Sequence, residues 1–340
     1  MLKVFKGWMD RYFSDEEALI FLILLVSSFA IIIGFGQVLA PVFISVVMAY
    51  LIQGGMHYCK DRGLGNLTST LIMFTLFVGV FLSILFVVIP ATISQAGQLF
   101  YELPSMLSQG QDLLMLLPDR YPDLITEIQV KGWMSQAGEE LASLGQWILS
   151  FSLHSIPGAI TILIYLVLVP ILVFFFLKDG QQITHFFVSF LPKDRKLMNT
   201  IWAEMEEQIA NYIRGKVVEI IIVGGVTYVG FIIFDLQYAE LLAILVGLSV
   251  LIPYIGAAVV TVPVAVIAYF QFGYSETLFY CLLVYGVIQG LDGNVLVPLL
   301  FSEVVNLHPV AIIIAVLAFG GRWGCWGVFF AIPLATLFKA

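Results

Sequence analysis

Apolar residues fill this chain in blocks of helical length. A helix needs about 20 mostly apolar residues to cross a bilayer core of about 30 Å. On that measure spans are predicted at 18–35, 38–53, 67–90, 156–177 and 217–234. From 239 to 338 the chain is almost continuously apolar, but "PYIG" at 253–256, "QGLDGNVLVP" at 289–298 and "GGRWG" at 320–324 interrupt it. The pieces between them, 239–252, 257–272, 276–290, 310–319 and 325–338, are mostly too short to cross directly. The predicted fold is all-α: a polytopic helical membrane protein with broken or re-entrant helices in its C-terminal third.

Two polar intervals separate the spans, and they differ in charge. Residues 91–153 hold Arg120 and Lys131 against seven acids, whereas 178–216 hold Lys178, Lys193, Arg195, Lys196, Arg214 and Lys216. Cytoplasmic loops carry the excess of Lys and Arg, so 178–216 is expected inside and 91–153 outside. Lys3, Lys6 and Arg11, then Lys60 and Arg62, agree with a cytoplasmic N-terminus. The acidic run Asp15, Glu16 and Glu17 before the first apolar block reads as the start of a retained span, not a cleaved leader.

The expected organisation is therefore N-terminal transmembrane helices over 1–90, an extracytoplasmic amphipathic insert over 91–155 and a span at 156–177. A cytoplasmic helical arm over 178–216 and a C-terminal core over 217–340 complete it. In the insert, Leu124, Ile128, Leu141, Leu144, Trp147 and Ile148 suit helices lying on the membrane or covering an oligomer's pore-facing side. In the arm, Ile201, Met205, Ile209 and Ile213 recur every four residues, one apolar stripe for docking.

Composition confirms lipid as the solvent: 61% of the 340 residues are hydrophobic, 11% are charged, and the mean hydropathy is +1.02. A net charge of −8 and the lack of a basic tract leave nothing to displace counterions from nucleic acid, so no such partner is expected. Cys59, Cys281 and Cys325 form neither a CxxC pair nor an even framework, and read as structural thiols with no metal site.

Candidate chemistry lies at the breaks. Inside hydrocarbon, irregular backbone persists only where protein buries it or where it lines a wet cavity. Pro253 removes a donor and Gly256 permits a turn, while Gly290, Gly293, Pro298 and Pro309 act likewise around the second break. There Gln289, Asp292, Asn294, Ser302, Glu303, Asn306 and His308 cluster, although a carboxylate at the bilayer centre costs about 2.5–3.5 kcal/mol. A pocket for a hydrophilic solute or ion accounts for them, and a wet surface loop is the other reading. In "NYIRGKVVEI" the cations Arg214 and Lys216 suit snorkelling to the interface. Glu219 lies within the apolar run, able to pair with either. Glycines 224, 225, 230, 320, 321, 324 and 327 suit close helix approach. No GxSxG, HExxH, P-loop or GxGxxG motif is present, so neither an enzyme nor an ATP-driven pump is indicated and no cofactor is expected.

The motifs "FFFLKDG", "NYIRGKV", "LIPYIGAAV", "QGLDGNVLVPLLFSEVVNLHP" and "FGGRWGCWGVFFAIPLATLFK" resemble, in order and spacing, the autoinducer-2 exporter family of PerM-like permeases. The resemblance runs from about residue 15 to the C-terminus and is strongest after 160. It implies a multi-pass carrier of the bacterial inner membrane with about eight hydrophobic segments, a pentameric homo-oligomer and elevator-like movement. The implied function is export of a small hydrophilic solute such as autoinducer-2. Na⁺(Li⁺)/H⁺ exchange is the alternative within transport, and a non-transporting membrane scaffold the alternative outside it. Carried onto this chain, the resemblance makes Pro253, Tyr254 and Gly256 one hairpin tip, with Gln289, Asp292, Asn294 and Pro298 facing it. Gln289 and Asn294 would hydrogen-bond the solute, and Asp292 would be the protonatable or cation-attracting group. Arg214, Glu219, Glu303, Asn306 and His308 are candidates for gating or coupling.

Overall fold

The computed structural model describes residues 16–116, 118, 126–153, 155–192, 195–253, 255–301 and 308–337. Those residues are almost all helical, and six helices are long and apolar enough to cross a bilayer. Tyr254, Glu303 and Asn306 lie outside the described residues.

Helix α1, Glu16–Asp61, takes in both spans expected at 18–35 and 38–53. No charge falls between the two, and a turn there would expose backbone groups to lipid, so the helix runs on through Pro41. The Ser45 hydroxyl donates to Pro41 O at 2.6 Å. The turn expected between the two spans is absent, because α1 does not fold back near 36.

Helix α2, Asn66–Ser83, passes through a π-helical turn at Ile84–Val88 into α3, Ile89–Leu114. Helix α4 is Glu127–Leu153 and α5 is Ser155–Val188, kinked at Asp179. A first apolar cluster, Ile52 and Met56 of α1, Phe77 of α2, and Val169, Val173 and Leu177 of α5, ties this half together. In the insert Val130 is fully buried, while Ile128, expected to face the membrane or an oligomer's pore side, is 83% exposed in the single chain.

Helix α6, Lys196–Ile233, joins the expected arm and the span after it without a break. Helices α7, Ala239–Ser249, and α8, Ile255–Phe272, then form a hairpin around the "PYIG" break. At 11 residues α7 is about 16 Å long, half a bilayer core. It packs on α6 where Gly247 meets Gly224, an approach that a Cβ on Gly247 would block at 3.1 Å. The tip is tighter: a Cβ on Gly256 would stand 1.8 Å from Ser249 O. The hairpin's open end is closed by Gln271, which accepts from the Gln237 N–H at 2.7 Å and donates to Asp235 O at 2.7 Å.

The insert packs on that same open end. Met106 of α3 is buried with Leu241 and Tyr238, and Leu99 and Leu103 pack beside it. Burial and a hydrogen bond to Glu102 push the Tyr238 phenol up to about 12, so it stays protonated and donating at neutral pH. Gln95 accepts from the Leu241 N–H at 2.9 Å, satisfying one of the free donors in the first turn of α7. Gln95→Ala is therefore expected to cost about 0.5–2 kcal/mol, as loss of a helix cap does. A denaturant titration of the purified protein reads it, and no change would mean that this contact does not hold the insert down.

Helix α9 is Glu276–Leu291, and a π-helical turn at Asp292–Leu296 leads into α10, Val297–Phe301. The second break is thus not a hairpin tip but a widened turn within one helical run. Helix α11, Pro309–Leu337, folds back at Gly324, whose φ of 59° and ψ of −139° leave helical space. Gly327 returns so close that a Cβ there would meet Phe319 O at 1.9 Å. The halves Val310–Gly324 and Gly327–Thr336 make the second hairpin. "GGRWG" holds its bend as a break, as expected.

Candidate functional site

The α7–α8 tip, the π-turn after α9 and the middle of α6 meet at one buried place. The approach comes from α6 and α9 running antiparallel: Gly230 faces Val284 and Ile288, while Gly215 faces Phe301. The Phe301 ring fills the space of the missing Gly215 side chain, where a Cβ would lie 2.7 Å from it.

Lys216 is 4% exposed, Glu219 1% and Asp292 9%. The Lys216 ammonium donates to Glu219 Oε2 at 2.7 Å and to Val250 O at 2.8 Å. Val250 is the C-cap of α7, so Lys216 satisfies a free carbonyl at the negative end of that helix. The ammonium also stands 5.1 Å from the centre of the Phe301 ring. Asp292 lies close enough for its charge to act on both Lys216 and Glu219. Its Oδ1 is buried and without a hydrogen-bond partner among the described residues.

A line of polar groups leads away from Asp292 along α9. Gln289 Nε2 donates to Tyr285 Oη at 2.9 Å, and Tyr285 Oη and Thr261 Oγ1 of α8 share a hydrogen bond of 3.0 Å. Tyr285, Gln289 and Asp292 are spaced by four and three residues, which puts them on one helix face. By the antiparallel register, Thr227 of α6 falls level with Gln289; its hydroxyl is fully buried and without a partner among the described residues.

Of the sequence candidates, the structure brings together Gln289, Asp292 and Glu219, and sets Pro253 and Gly256 in the nearby tip. Asn294 and Pro298 are on the exposed side of the same helical run, where Asn294 donates to Gly290 O at 2.8 Å. His308 is exposed. Arg214 is not Glu219's partner: it approaches α1, with Nε 3.7 Å from where a Cβ on Gly54 would be. Lys216 takes that place, buried instead of snorkelling. Its signal is the three-residue spacing to Glu219 inside an apolar run, since i,i+3 neighbours share a helix face. Thr227 and Tyr285 carry no signal in the sequence, being single polar residues within apolar helices. Among the described residues no cluster of His, Cys, Asp and Glu fits a metal ion.

A polar cluster between two half-helices suits a carrier, and relatives decide the class. A family model described as "AI-2E family transporter" matches residues 19–340. The chain belongs to the AI-2E transporter family. It is 47% identical over 340 residues to "Putative permease PerM" of Escherichia coli strain K12, covering 100% of this chain and 96% of that protein. It is 28% identical over 319 residues to "Putative transport protein YueF" of Bacillus subtilis strain 168, covering 88% of this chain and 84% of that protein. "Putative transport protein YrrI" of the same organism is 26% identical over 307 residues, covering 88% and 84%. This AI-2E family member is a multi-pass membrane transporter, and its relatives' names describe transport, not an enzyme activity.

Proposed function

We propose that this AI-2E family transporter is a secondary carrier that exports a small hydrophilic solute of the autoinducer-2 kind. The observation that supports it is the junction at Lys216, where one ammonium joins a buried carboxylate to the last carbonyl of a half-helix. A shift of the α7–α8 hairpin must break or remake that junction, so the polar groups exposed to a solute change with hairpin position. Gln289 and Asp292 offer the solute an amide and a carboxylate. Half-helix ends aimed at a buried site serve other carriers in the same way.

Elevator-like movement would have to slide along the cluster in which Val47 of α1 packs on Tyr212 and Ile213 of α6, since the α1, α2 and α5 cluster and the cluster joining α6 to the first hairpin share no residue. The α1, α2 and α5 cluster would be the frame and the hairpins the moving part. The protein works as a homo-oligomer, a pentamer by family resemblance, in the bacterial inner membrane with the basic 178–216 end in the cytoplasm.

Proteoliposomes loaded with autoinducer-2 test this. Asp292→Asn keeps shape and removes charge, and is expected to lower efflux while oligomer size on gel filtration stays unchanged. Asn294→Ala, whose amide bonds only its own helix, is expected to leave efflux near wild type. Equal efflux from wild type and Asp292→Asn would remove the site from the transport path.

A further inference from the structure

We propose that Lys216, Glu219 and Asp292 form a binding site for one proton, in which Lys216 is a built-in cation that excludes Na⁺ and Li⁺. The inference rests on the transporter reading above and names its coupling ion.

With both carboxylates ionised the three groups carry one net negative charge, buried where the ammonium meets the end of α7 and the Phe301 ring. An uncompensated charge in such a medium is costly, and buried charges are stable only when paired and hydrogen-bonded. Glu219 has its pairing in Lys216. Asp292 does not, and its Oδ1 lacks a donor among the described residues. One proton taken from water onto Asp292 converts the carboxylate to a carboxylic acid and brings the cluster to neutrality. Among the described residues no other carboxylate or amine competes: α6 presents Lys216, Glu219 and Tyr212 to this place, α9 presents Tyr285, and α7, α8 and α10 present no ionisable group at this level.

A metal cation would neutralise the same charge, but two of the oxygens it would use are shared with Lys216. The Glu219 oxygen and the Val250 carbonyl that would coordinate it already hold the ammonium, at 2.7 and 2.8 Å. Any Na⁺ near Asp292 would also face the like charge of Lys216. A proton needs no coordination shell and has no such conflict. The Thr261, Tyr285 and Gln289 line adds polar groups on the same side of α9 as Asp292.

Infrared difference spectra of the purified full chain between acid and alkaline pH test this, in Na⁺, Li⁺ or choline at equal ionic strength. The expected result is a carboxylic-acid carbonyl band that Asp292→Asn removes and that keeps its pH midpoint in all three salts. In Lys216→Gln, or in Lys216→Met if the first does not fold, Na⁺ is expected to move that midpoint to lower pH. The proposal is overturned if Asp292→Asn leaves the band, or if Na⁺ or Li⁺ shifts it in wild type. A folded Lys216 variant that still ignores Na⁺ overturns the excluding role. Solute efflux without the band would defeat the proton site and leave the carrier standing, whereas the band without efflux would do the reverse.

Discussion

Lys216→Ala is expected to lower the unfolding free energy by about 3–5 kcal/mol, the scale on which one partner's removal breaks a buried ion pair. The substitution strands more than Glu219. Asp292 loses the cation whose charge reaches it, and Val250 O at the end of α7 loses its donor. The Phe301 ring, which lies over the ammonium and in the gap at Gly215, is left beside a cavity. Replacing both partners, Lys216→Met with Glu219→Leu, is expected to recover only the part due to the stranded Glu219, because Val250 O still lacks its donor and Asp292 its cation. Loss of monodisperse protein on heating in detergent ranks the three. A single variant as heat-resistant as wild type would show that the cluster is hydrated and not sealed.

Gly256→Ala is the second large effect, and it acts through the backbone. The added methyl would sit 1.8 Å from Ser249 O and 2.7 Å from its carbonyl carbon. Neither belongs to a side chain that can swing away, so the α7–α8 tip has to open, carrying Val250 O off Lys216. The expected cost is at or above about 3 kcal/mol, the upper range for overpacking, with a sharp fall in folded yield. Gly286→Ala on α9 is the control: nothing lies within 4 Å of its Cβ position, and Ala favours helix over Gly by about 1 kcal/mol. Equal yields from the two variants would mean that the tip is not closed as described.

Both hairpins are legible in the sequence because their breaks carry residues that a helix in lipid cannot absorb. "PYIG" places a proline and a glycine three apart between apolar pieces, and "GGRWG" sets Arg322 among glycines. "QGLDGNVLVP" reads as a third such break, with two glycines and a proline, yet the helix continues through it. Glycine in a helix costs only about 1 kcal/mol, whereas open backbone in lipid costs several per unsatisfied group. Pro298 sits in the second position of α10, just past the widened turn. The pairing of Glu219 is readable from spacing, since Lys216 lies three residues before it and Arg214 five, but the burial of the pair is not. The α6–α7 approach is what encloses it, by bringing Val250 O onto the ammonium.

The widened turn also sets the phase of the helix beyond it. Val297 N–H bonds to Asp292 O, five residues back where α-helix would reach four, so one residue is surplus to the regular winding. Each residue turns an α-helix by about 100°. The surplus therefore lets the stretch before it aim Tyr285, Gln289 and Asp292 at α6 while the stretch after it still aims Phe301 at Gly215. Shortening the chain by one amino acid here would regularise the helix and rotate the aromatic plug off the glycine notch, unsealing the site without touching any charged group. At this spot the number of residues between two side chains matters as much as their identity.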